Sequence, residues 1–307
     1  MTNDEESPRG FVYASTAYIM WGLLPIYMKA LAHVPPMEVI GHRVIWSLPI
    51  AGGVLWATRR VDDLKRALHS PLTVVMGAAT AALISINWGI YVWAIGAGHA
   101  LDAALGYYIN PLFSIMLGAV LLRERLSPAQ AVAVALAAGA VLVLTLATGR
   151  VPVVALGLTV SFGVYAYLKK SLPIGPNQGF FLEVLLLTPF AAAYLLYLAA
   201  TGRNHFMAGD LEGTWLLFGC GAVTAVPLLF YGNGAKLLRL STIGIMQYIV
   251  PTMIFLTAVI VFGEDFGVPR MIAFPMIWAA LMIYTVSLVR RARLAKAAGA
   301  VPQPGPS

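Results

Sequence analysis

Ten apolar stretches of about 20 residues, bounded by turn residues, run along this chain near 11–32, 37–57, 72–96, 100–122, 128–147, 151–170, 177–200, 213–235, 241–262 and 268–289. About 20 apolar residues in a helix span the hydrocarbon core of a bilayer, so the pattern predicts ten membrane crossings. The 307 residues are 60% hydrophobic and 11% charged, against roughly 45–50% and about 25% in soluble domains. A soluble enzyme is excluded, because a soluble fold of this size needs a polar skin. Loops and tails average about ten residues each, too short for a soluble domain.

Cys220 is the only cysteine, and the five histidines show no i, i+4 pair, so no metal centre or cofactor is expected. The net charge of +7 could suggest nucleic acid, but Lys and Arg fall in short connections and tails rather than along one face. With a cytoplasmic N-terminus, 15 of them lie inside and 4 outside, with Arg43 within a span. The bias puts both termini in the cytoplasm of a bacterial inner-membrane protein, with residues 291–307 as a cytoplasmic tail. The acidic start (Asp4, Glu5, Glu6) and long first span argue against a cleaved signal peptide.

The chain is also a repeat. A shift of 140 residues places Pro36 on Pro176, Pro49 on Pro189 and Pro111 on Pro251, where about 0.4 proline coincidences are expected by chance. The same shift pairs Tyr27 with Tyr167, Lys29 with Lys169, Tyr91 with Tyr231, Tyr108 with Tyr248 and Glu124 with Glu264. Residues 11–147 and 151–290 therefore read as two five-span copies. Five is odd, so the second copy enters the membrane inverted, an architecture of secondary transporters whose site lies at the repeat interface. The chain lacks a GxxxxGK[ST] phosphate loop, so a gradient or exchange supplies the energy.

Ionisable groups inside spans cost at least about 2.5–3.5 kcal/mol on insertion scales and are functional candidates by default. In the second span Glu38 and His42 share a helical face beside Arg43. Glu38 lies near the outer surface, where it can reach water as a gate; His42 is a candidate proton carrier, although a histidine bonded between helices is the commoner case. The 140-residue shift carries Arg43 onto Glu183, which predicts that the two face one cavity and pair across it, as substrate ligands or as a structural clamp. Pro111 and Pro251 interrupt the fourth and ninth spans and free carbonyls that must face protein or water. Near them lie Tyr107, Tyr108, Asn110, Gln247 and Tyr248. Asn87, Trp88, Tyr91, Tyr231 and Asn233, with Trp21 and Tyr27 of the first span, complete a pocket suited to a small amphipathic solute. Interfacial belts and packing are the alternative uses of such aromatics.

Asp102 and Ser241-Thr242 are placed as N-caps. Glu124 and Glu264 end paired spans and favour the positive end of the next helix. Small residues from Ala131 to Gly139 suit peripheral packing or a homodimer contact.

MWGLLPIYMK (Met20–Lys29), EVIGHRVIWS (Glu38–Ser47), LDAALGYYINPL (Leu101–Leu112), LLRERL (Leu121–Leu126) and LSTIGIMQYIVPT (Leu240–Thr252) together resemble the RarD branch of the EamA-type drug/metabolite transporter superfamily, over about residues 10–290. The resemblance implies helices 1–4 and 6–9 around a central cavity and helices 5 and 10 at the periphery. RarD proteins are commonly labelled chloramphenicol-sensitivity permeases. The branch pattern has Glu where this chain has Asp102, a shorter carboxylate. The combined expectation is an all-α membrane protein that is not an enzyme: a secondary transporter exporting small polar or amphipathic metabolites, with amino-acid-like zwitterions fitting the Arg43/Glu183 charges. A passive facilitator or channel is the alternative.

Overall fold

The computed structural model describes residues 7–121, 126–235, 237–238 and 240–299, which contain helices and connections but no strand. The helices are α1 (Pro8–Ala30), α2 (Pro36–Ala57), α3 (Val61–Leu68), α4 (Pro71–Gly96), α5 (Ala100–Leu121), α6 (Pro128–Thr148), α7 (Val153–Ser171), α8 (Pro176–Ala200), α9 (Leu211–Ala235), α10 (Leu240–Met246), α11 (Ile249–Leu256) and α12 (Gly267–Gly299), with a π turn at Thr257–Val261. Proline opens α1, α2, α4, α6 and α8, where its missing N–H costs nothing because the first-turn donors have no helical partner. Ser127 and Gln130 form a capping box at the start of α6, and Gly149 ends it at φ 66°.

Among the described residues eight helices are long and apolar enough to cross a membrane; Val153–Lys169 and Ile249–Val261, on the sixth and ninth expected spans, are shorter apolar helices. The two prolines expected to interrupt helices behave differently. α5 runs unbroken through Pro111, whereas the ninth span breaks at Gln247 and Tyr248, between α10 and α11. Pro251 has no N–H for the Gln247 carbonyl, which takes the Val250 amide at 3.4 Å instead. Two segments outside the expected spans are helical. The charged stretch after α2 forms α3, which buries Leu64 and Ala67 and pairs Asp62 with Lys65 and Asp63 with Arg66. The expected tail is helical to Gly299, as part of α12.

The contacts follow the 140-residue relation seen in the sequence. α2 packs on α8 and α6 on α12, each pair mapping onto itself under the shift; α1 on α9 maps onto α7 on α4, and α2 on α9 onto α8 on α4. By contacts the chain forms two units, Met1–Tyr107 with Val153–Asp265, and Tyr108–Pro152 with Phe266–Ser307. In the second unit Ala133, Ala137, Ala140 and Leu144 of α6 are buried together with Ala273, Phe274, Ile277 and Ala280 of α12. The small-residue stripe is thus used within the chain, and Ala131 at its start is exposed. Small side chains at every turn let the two backbones approach.

The start of α5 corrects the assignment of caps. The Glu264 carboxylate accepts the N–H groups of Ala100 (2.7 Å) and Leu101 (2.9 Å), satisfying donors that α5 itself leaves open. Asp102 lies instead against His99 Nδ1 at 3.3 Å. Glu124 and the side chain of Ser241 lie outside the described residues.

Where α2 crosses α9, Gly221 sits on the main chain of Trp46, and a Cβ there would overlap its carbonyl group. Backbone cannot yield as a flexible side chain can, so Gly221→Ala is expected to destabilise by about 1–3 kcal/mol. Gly53→Ala, in the same crossing helix α2 but with no atom within 4 Å of the added carbon, is expected to be neutral or to gain up to about 1 kcal/mol. Thermal unfolding of the two variants in detergent makes the comparison.

Candidate functional site

α2 is the pivot of the first unit because α8, α9 and α4 all pack on it. Its buried face carries Glu38, His42, Arg43 and Ser47, an unusual set for a helix in an apolar bundle. Arg43 is 4% exposed. Its Nε donates to Thr224 Oγ1 at 3.0 Å and its guanidinium lies over the Trp88 ring, 4.4 Å from the centroid. Cys220, Tyr107 and Tyr91 are its electrostatic neighbours. Arg43 forms no ion pair with a described carboxylate, and its Nη1 is buried without a hydrogen-bond partner, as is the Tyr91 hydroxyl. A guanidinium presents five donors in a fixed fork; here part of that fork is aimed into the protein and unused.

Tyr91 and Tyr107 meet edge to face at 5.9 Å. Asn87 stands behind them: its Nδ2 donates to the Leu158 carbonyl (3.1 Å) and Ser161 Oγ (2.9 Å), and its Oδ1 accepts from the Tyr107 hydroxyl (3.3 Å). Asn87 was expected to touch a solute; in this structure its side chain is engaged within the protein and holds the Tyr107 hydroxyl.

The expected pairing of Arg43 with Glu183 is not formed. Glu183, 2% exposed, accepts from Lys169 Nζ at 2.6 Å and from the Tyr165 hydroxyl at 3.4 Å. A lysine at the end of α7 thus pairs with the acid, and the arginine has no carboxylate partner among the described residues. Glu38 is corrected as well. It is not open to water but 0% exposed, with its carboxylate accepting the His205 backbone N–H at 2.7 Å and lying 2.7 Å from His205 Nδ1. The connection between α8 and α9 folds over it, and Phe206 packs on His42 at 4.9 Å and Trp46 at 5.8 Å. His42 Nδ1 accepts from Trp46 Nε1 at 3.1 Å, while Nε2 is buried and unpartnered.

The other expected residues are dispersed. Trp21 and Tyr231 form an aromatic triangle with Tyr18 in an apolar cluster. Tyr27 donates to the Leu216 carbonyl, tying α1 to α9. Asn233 is exposed and its Nδ2 donates to Leu229 of its own helix (2.9 Å). Gln247 and Tyr248 sit at the break before α11. Asn110 and Pro111 belong to the second unit; the Asn110 carbonyl accepts from Ser114 Oγ at 3.0 Å. Thr224, Lys169 and His205, which hold Arg43, Glu183 and Glu38, were not singled out as site residues from the sequence: a threonine carries no signal there, and Lys169 and His205 sit with the connections. Among the described residues no cluster of three or more metal-ligating side chains occurs.

Comparison with known proteins places this geometry. The model of the EamA-like transporter family matches residues 8–146. An uncharacterized transporter of Vibrio cholerae is 41% identical over 97% of this chain and 99% of its own length. Protein RarD of Escherichia coli is 39% identical over 93% and 96%, and the chloramphenicol-sensitive protein RarD of Pseudomonas aeruginosa 31% over 90% and 93%. A solved crystal structure shares the fold with a TM-score of 0.57 at 18% identity, covering 91% of this chain and 98% of that one.

Proposed function

We propose, from the premise that this chain belongs to the RarD branch of the EamA-like transporter family, that it is a secondary transporter exporting small organic anions with an apolar or aromatic body across the inner membrane. The observation that carries the reading is Arg43: a cation 4% exposed, without a carboxylate partner among the described residues, with Nη1 unused beside the unpartnered Tyr91 hydroxyl. An unpaired charge inside a membrane protein is costly. A solute carboxylate entering the chamber supplies both the missing charge and the missing acceptors, and Trp88 and Tyr107 supply aromatic faces for the remainder.

This narrows the zwitterion expected from the sequence. A bound ammonium would need Glu183, and Lys169 already holds that carboxylate. With Glu183 held by Lys169 and Glu38 held by His205, the Arg43 guanidinium is the charged group left for a solute, and an anion is its complement. Residues 11–147 and 151–290 act as two inverted halves around it, a reading supported by packing pairs that interconvert under the 140-residue shift. Exchange of the halves between two arrangements exposes the chamber to each side in turn.

The test is counterflow in proteoliposomes with labelled aromatic monocarboxylates, zwitterionic amino acids, chloramphenicol and organic cations. Saturable exchange of the monocarboxylates is expected. Exchange confined to zwitterions or cations would overturn the anion reading, and flux rising linearly without saturation would mark a facilitator instead.

A further inference from the structure

We propose that positions 38 and 178 work two gates, one at each end of the α2–α8 pair, that release in turn. They are the third residues of α2 and α8 and images of each other under the 140-residue shift. Both are buried, at 0% and 2% exposure. Glu38 fastens the connection that follows α8, through His205 N and Nδ1, each at 2.7 Å. Gln178 fastens the segment that follows α2, its Nε2 donating to Asp63 Oδ2 at 3.2 Å. Each helix start thus holds the chain leaving the end of the other, so the helices run antiparallel and the two fastenings lie at opposite ends.

The fastenings match in place but not in strength. In both a carboxylate accepts, which makes a stronger bond than a neutral acceptor does, but the first has two contacts of 2.7 Å where the second has a single longer one. The second uses one amide donor and leaves Gln178 Oε1 buried without a partner. The Gln178 end is therefore the one that yields first from this conformation. The Glu38 gate also carries a stopper: Phe206, next to His205, is seated on His42 and Trp46, which flank Arg43 along α2. While Glu38 holds, the aromatic ring covers that end of the chamber.

The inference rests on the alternating-access reading, but its test reads exposure rather than flux. Cys220, the only cysteine, is 0% exposed and an electrostatic neighbour of Arg43, so it reports opening of the chamber. A membrane-impermeant maleimide is applied to the full-length protein in right-side-out and in inverted vesicles. Glu38→Gln is expected to raise the rate of Cys220 labelling at least tenfold from the face bearing the 201–210 connection. Gln178→Glu, which sets a second carboxylate against Asp63, is expected to do so from the opposite face. His205→Ala, in the connection itself, gives a smaller rise on the same face as Glu38→Gln and serves if the latter fails to fold. Folded variants that label at the parent rate from both faces, or from the wrong face, would overturn the proposal. Because no solute is needed, that failure is separate from a failure of counterflow.

Discussion

Replacing Arg43 by methionine is expected to lower exchange of the anionic solute by about 100-fold or more without lowering the unfolding temperature. Truncating one member of a desolvated charge pair costs about 2–5 kcal/mol of binding, and each 1.4 kcal/mol is a tenfold change. The stability half of the prediction has the opposite sign to that of ordinary core truncations. Arg43 is buried with no counter-charge among the described residues, so its removal takes away a desolvated cation, and a flexible apolar side chain of similar length fills the same path. Lost packing over Trp88 and the lost bond to Thr224 oppose this, and the net expectation is an unfolding temperature unchanged or raised. Arg43→Lys keeps the charge but not the fork, and falls between the two in exchange. Counterflow rates and thermal unfolding of the same preparations decide it; a methionine variant that unfolds well below the parent while exchanging normally would make Arg43 a structural residue.

The Lys169–Glu183 pair gives the second large effect, now on stability. Glu183 is 2% exposed, and the side chain of Lys169 about a fifth exposed. Lys169→Met strands the carboxylate and is expected to cost about 3–5 kcal/mol. Glu183→Gln is expected to cost less, because the lysine stem can carry its ammonium to water and glutamine still meets Tyr165. The double variant should recover most of the loss. A double-mutant cycle by thermal unfolding measures the coupling; simple additivity of the two single losses would mean that the pair does not act as a unit.

The helices were legible because a bilayer demands long apolar runs and the sequence has them, and Pro251 marked the break in the ninth span; the unbroken course through Pro111 and the short α3 were not, since a proline does not always break a helix and hydropathy does not register a short amphipathic turn. Arg43 is marked in the sequence as a charge within a span, and Trp88, Tyr91 and Tyr107, which helical spacing set beside it, are its neighbours in the structure. Its relation to Glu183 was misread for a geometric reason. Symmetry makes two positions equivalent, but equivalent residues touch only if they lie near the axis. The true partner of Glu183 is 14 residues away across a turn, and that of Glu38 is 167 residues away in a connection; neither separation leaves a periodic trace.

The cap on α5 has a consequence in time. Glu264 lies 164 residues after Ala100, and ribosomes add about 5–20 residues per second, so on the order of 10–30 seconds pass between the making of that helix start and the making of its acceptor. Until then two amide donors at the head of a membrane helix must borrow water or lipid headgroups. The first half of the chain is therefore left unfinished at birth, and the last connection to be synthesised completes it.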